Sequence, residues 1–159
     1  MRRRTVLAAE SYRTFLPIVT RPVTLTASDG LEQDMAQRIN AERAARGLPA
    51  LNLVPEVFAA ARGHSIDMAA MGSCQHAGSD GSNCGDRLRE AGYIDVGWGE
   101  SVGAASISDP AYMLSAWMGS AGHRGILLTT TLDDLGVGYA VSQDGSMHYW
   151  TAVVAKRAP

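Results

Sequence analysis

The residues of this chain with chemical potential are four histidines and one glutamate in a glycine-flanked run. His76 lies in Cys74-Gln75-His76-Ala77-Gly78-Ser79-Asp80-Gly81, and His123 in Ser120-Ala121-Gly122-His123-Arg124. Glu100 stands in Gly97-Trp98-Gly99-Glu100-Ser101. Glycine-rich loops hold side chains over a scaffold, which is where binding and catalytic groups concentrate. Two imidazoles and one carboxylate make a workable zinc set with an open fourth position, or an acid–base set. His64, near Ser65 and Asp67 on a helix, reads as a structural hydrogen-bonding residue, while His148, beside Tyr149 and Trp150, stays unassigned. The sequence has no H-E-x-x-H helix, no G-x-S-x-G elbow and no phosphate loop, so those hydrolase and nucleotide chemistries have no carrier.

Cys74 and Cys84 are the two cysteines and bracket the loop of His76. A bridge between them would close a loop of about 11 residues and contribute roughly 2.5–3 kcal/mol on the chain-entropy model. An even cysteine count in a loop favours a disulfide in an oxidising compartment, so the expectation is a Cys74–Cys84 bridge.

Positioning these groups falls to a series of short elements. Leu31, Met35 and Ile39 recur at helical spacing with Ala36 alongside, predicting a helix over 29–46 capped by Ser28 or Asp29 and stopped by Gly47 and Pro49. Pro55 opens a second helix ending at Gly72. A loop over 73–85 and a short helix near 84–91 follow, then a strand or irregular segment at 97–102. Asp109-Pro110 starts another helix, ending near Gly119. The β-rich runs 135–141 and 147–154 flank Asp144-Gly145, a hairpin signal. Helices first and an antiparallel sheet last make an α+β chain. Trp98, Trp117 and Trp150 are assigned to core packing, the methionines to core filling, and Arg43 and Arg87 to salt bridges or solvent.

Composition narrows the class. The 159 residues suit one domain, and no apolar run is long enough to span a membrane. Residues 1–28 carry five arginines and one glutamate, net +4, and read as a basic tail or linker, or the remnant of a leader. Residues 29–159 carry nine basic and fifteen acidic groups, net −6. That acidic body lacks the clustered cations a nucleic-acid partner needs.

Several ordered motifs resemble one family. Asn40-Ala41-Glu42-Arg43 with Gly47-Leu48-Pro49-Ala50-Leu51, Ala61 to Met68, and His76-Ala77-Gly78 with Asp80-Gly81 are similar to its first two helices and loop. Arg87, Ala91-Gly92-Tyr93, Gly99-Glu100-Ser101, Trp117 to Arg124, Leu135 to Ala140 and His148 to Thr151 resemble later elements. Together, over 31–154, they resemble the bacterial branch of the CAP superfamily of cysteine-rich secretory, antigen 5 and pathogenesis-related proteins. The resemblance implies a single CAP domain over 29–159, an α–β–α sandwich with a small antiparallel sheet, secretion to the cell envelope or exterior, and a central groove. It also implies that His76, Glu100 and His123 line the groove, with His76 and His123 as metal ligands. The family's second acid is missing, and Asp80 is the nearest substitute or simply a turn residue.

Two functions stay open. One is a non-catalytic binding module taking a small ligand, a divalent metal such as zinc, or an extracellular or envelope partner. The other is a metal-dependent hydrolase with Glu100 as base beside His76 and His123.

Overall fold

The computed structural model describes residues 27–159; the reading of the N-terminal segment as tail or leader falls outside the described residues. Helix α1 spans Ala27–Ala44, so it starts ahead of both expected caps, with Asp29 inside its first turn. Met35, Ala36 and Ile39 form its buried stripe. Gly47, at φ +70°, ends the turn that follows, where Leu48 N donates back to Arg43 O at 3.0 Å. Arg43 is neither solvent-facing nor salt-bridged. It is buried and donates to the carbonyl oxygens of Pro49 (2.9 Å), Leu127 (3.0 Å) and Thr129 (2.8 Å), tying α1 to a loop late in the chain.

Strand β1 is Asn52–Leu53, and α2 runs Pro55–Met71, closed by Gly72 as the sequence indicates. Helix α3 is Cys84–Glu90, where Asn83 and Asp86 cap each other reciprocally. Strand β2 is Asp95–Ala105, α4 is Pro110–Gly119, α5 is Ala121–Leu127, β3 is Asp134–Val141 and β4 is His148–Arg157. The sequence pattern gave no signal for β1 or α5. The first is two residues long, and the second is a seven-residue helix containing two glycines, too short for a period to register.

The sheet order is β1-β3-β4-β2. β2 and β3 pair antiparallel with β4, while β1 joins β3 in parallel. So the sheet is not wholly C-terminal: β2, from mid-chain, forms an outer strand. Alternation along β4 sends Trp150, Ala152 and Val154 into the cluster with α1, α4 and α5. Val153 and Ala155 enter the cluster with α2 and α3. Helices therefore cover both sheet faces, giving the expected α–β–α sandwich.

Candidate functional site

The loop between α2 and α3 is held by its own polar side chains. Asp67 on α2 accepts from Ser79 N (2.8 Å) and Ser79 Oγ (2.6 Å), which keeps the Asp67 carboxyl below its ordinary range. Asp80 accepts from Ser82 N at 2.8 Å and Gly78 N donates to Ser82 O at 2.9 Å. Asp80 is exposed, serves this turn, and is not among the residues that line the cleft described below. His64 on α2 is buried, and its Nε2–H donates to Gln75 O at 2.8 Å. That bond places the lone pair on Nδ1, which has no partner. Burial pushes the His64 imidazole below its usual pKa, against the pull of the nearby Glu100 carboxylate. Its structural role matches the sequence reading.

Glu100 projects from β2 toward α2 and α3 with its side chain 2% exposed. One carboxylate oxygen accepts from His76 Nδ1–H at 2.9 Å and the other from Arg87 at 2.7 Å. The same Arg87 guanidinium donates to Ser82 O (2.9 Å) and His76 O (3.2 Å). Arg87 thus fixes both the carboxylate and the loop that carries the imidazole. A guanidinium suits this task because its planar fork serves several acceptors at once. His76 itself is 62% exposed, with its Nε2 lone pair left for the cleft.

The cleft is about 620 Å³. His76, Ala77 and Ser82 form one wall, Trp98, Gly99 and Glu100 of β2 the floor, and Ile126 of α5 the other wall. A volume of that order suits a small ligand or short segment. Trp98 is not core: it is 42% exposed and sits over the cleft, whereas Trp117 and Trp150 are buried as expected. His123 follows the end of α4 and lies, half-buried, in the first turn of α5. Its pKa falls below the ordinary value through burial first and then through the like charge of His76. His123 is not among the residues that line the cleft. His148 is elsewhere, with Nδ1 accepting from the Tyr139 hydroxyl at 2.6 Å.

The cysteines are not bridged. Cys74 is exposed in the loop, while Cys84 opens α3 and points into the core with Leu88 and Tyr93. Burial, reinforced by Glu100, drives the Cys84 thiol strongly upward, so it stays protonated. The fold closes this loop with Asp67, His64 and Arg87 instead, and the cysteine pair is no guide to compartment.

Among the described residues no group of three or more His, Cys, Asp or Glu side chains is arranged to hold a metal ion. Glu100 is shared between His76 and a guanidinium, whose positive charge opposes a divalent cation there. Two imidazoles remain, short of the three protein ligands of an open zinc site, so the residues do not fit the group.

Arg87, Trp98 and Ile126 are the site residues that sequence reasoning did not place. Arg87 carried a faint signal, an arginine three residues after Cys84 on a short helix; Trp98 and Ile126 carried none.

Comparison with known proteins agrees with this architecture. The chain is 31% identical over 120 residues to YkwD, an uncharacterised protein of Bacillus subtilis, a match covering 76% of this chain and 45% of that protein. An extracellular protein containing an SCP domain from Bacillus anthracis superposes with a TM-score of 0.73 at 28% identity, over 82% of this chain and 41% of the other. An outer surface protein of Borrelia burgdorferi shares the fold at a TM-score of 0.75 and 16% identity, over 84% and 97% of the two chains. This chain thus spans less than half the length of the two Bacillus proteins. The model of the cysteine-rich secretory protein family, or CAP, matches residues 36–154. The chain belongs to the cysteine-rich secretory protein family.

Proposed function

We propose that this chain is an exported, non-catalytic binding domain whose cleft beside β2 takes a ligand outside the cell or at its envelope. The observation that carries the reading is the double engagement of Glu100 by His76 and Arg87. Both carboxylate oxygens are already engaged inside the protein, which leaves Glu100 poorly placed to take a proton from a substrate. It does serve to hold the imidazole in one tautomer, Nε2 outward. Trp98 adds an exposed aromatic surface for a ring or an apolar group. Export is supported by the extracellular description of the Bacillus anthracis relative.

The test is a thermal-shift screen of the full chain against envelope glycans, peptides and lipids, run beside a hydrolase substrate panel. Ligands that stabilise wild type should lose their effect in Trp98→Ala and weaken in His76→Ala, with no turnover in either panel. Turnover that disappears in a folded Glu100→Gln variant would replace the binding reading with hydrolysis.

A further inference from the structure

The cleft has a floor of unusual kind: the open edge of a β-sheet. β2 lies at one end of the strand order, and among the described residues no strand pairs with its outer side. The phase of its hydrogen bonding follows from the hairpin. Ser142 N donates to Met147 O at 2.8 Å, which commits Tyr149, Thr151 and Val153 of β4 to β3. Trp150, Ala152 and Val154 are then left to bond β2, through Gly103, Ser101 and Gly99. The backbone N–H and C=O of Trp98, Glu100 and Val102 therefore point away from the sheet. The Trp117 indole confirms this phase by donating to Val102 O at 3.1 Å.

The exposed stretch is bounded on both sides. Upstream, the register shifts between Asp95 and Gly97, a bulge of the sort that protects edges. Downstream, Trp117 occupies Val102 O. Between them, Trp98 and Glu100 present their donor and acceptor pairs on the cleft floor, with no backbone partner outside the sheet among the described residues. Gly99, between them, turns toward Ile126, where a Cβ would meet the isoleucine at 3.0 Å, so no side chain rises there.

We infer that the cleft binds a short extended peptide, which adds to the outer edge of β2 by backbone hydrogen bonds to Trp98 and Glu100. This rests on the binding reading above and names its ligand class. The match is one of backbone partial charges: alternating N–H and C=O groups along an extended chain meet alternating C=O and N–H groups on the edge. The indole of Trp98 and the side chain of Ile126 offer apolar contact to the peptide's side chains, and His76 Nε2 offers one acceptor. The walls come from both helical layers, the α2–α3 loop and α5. That slot admits a single strand, whereas a second copy of this chain would bring its own covering layers against the walls.

The test selects peptides from a phage-displayed random library on the immobilised full chain, then synthesises the best binder with single N-methyl groups at each position. Isothermal titration calorimetry reports affinity for wild type and every variant. The expected result is period-two sensitivity: methylation at alternate positions weakens binding about tenfold or more, equivalent to one or more lost hydrogen bonds. Trp98→Pro, which removes an outward N–H without breaking the β2–β4 ladder, should lose more affinity than Trp98→Ala. The methyl scan needs no variant to fold. Binders lost in His76→Ala but indifferent to every methyl group would overturn strand addition while leaving the binding cleft standing. Failure to select any binder, or self-association of the chain abolished by Trp98→Pro, would also overturn it. Binders indifferent to His76→Ala and to Trp98→Ala would count against the cleft itself.

Discussion

The two faces of the sheet are built on opposite principles. Against α1, α4 and α5 the sheet presents Leu135, Val137, Trp150 and Val154, and the helices answer with Met35, Ile39, Met113, Trp117 and Leu127. Against α2 it presents Gly136 and Gly138, where any Cβ would collide with the backbone of Val57–Phe58 and Ala61–Arg62. Helix α2 therefore sits directly on the strand. Beside the apolar Val57 and Met68 it carries small and polar contacts: Ala61, Ser65 bonded to Thr151 at 2.9 Å, and His64. Beside it lie Arg87 and Glu100. One face gains stability from bulk and the other holds polar groups in register. The lesson is that the site depends on the face with less apolar burial, because buried charges need fixed partners rather than packing volume.

The strongest way to break that contrast is to add bulk where α2 rests. Gly138→Val should destabilise by more than about 4 kcal/mol, since rigid backbone cannot yield. Trp150→Ala, on the other face, should cost about 3–5 kcal/mol through a cavity. Urea unfolding of both variants checks the order. A Gly138→Val protein close to wild-type stability would show that α2 can shift.

Within the polar face, Arg87→Met should cost about 3–5 kcal/mol by leaving the buried Glu100 without its guanidinium. Adding Glu100→Leu should recover most of that loss while His76 loses its anchor, visible as line broadening of its imidazole in NMR spectra. If the double variant is no better than the single, Arg87 acts mainly through the loop carbonyls.

The response to pH reaches both faces. Burial lowers the pKa of His64 and of His123 in the folded chain. The unfolded chain takes up protons near pH 6.5 while the native one resists, so stability falls as pH drops below about 6.5 and levels off under the folded values. Unfolding curves at pH 7.5 and 5.5 should show the loss, and His64→Phe should reduce it. A flat profile in wild type would contradict the burial argument.

The smallest effect belongs to the outer surface of α1. Arg38 pairs with Asp34 at 3.0 Å, both exposed. Arg38→Ala should stay within about 0.5 kcal/mol of wild type in the same unfolding assay.

Much of the fold was legible because its signals are local. The Met35–Ile39 stripe, Pro55 with Gly72, Asp109-Pro110 and the Asp144-Gly145 turn each announce an element within a few residues. In the hairpin, Asp144 accepts from Ser142 and Ser146, which pulls its carboxyl down to about 2. The elements missed, β1 and α5, are short and exist through tertiary contact. Of the site, the sequence singled out His76, Glu100 and His123, and family resemblance set them in one groove. The disulfide expectation failed because loop spacing says nothing about which way Cys84 points.

By itself, then, the sequence determined the succession of helices and strands and the identity of the polar groups. Capping, periodicity and turn chemistry act between near neighbours along the chain. Only the tertiary structure decided how those polar groups are used. Glu100 and Arg87 are 13 residues apart and Glu100 and His76 are 24 apart, and it was packing of α2, α3 and β2 that closed them into one buried network. The open edge at Trp98 and Glu100 is likewise a consequence of strand order, which no local pattern encodes.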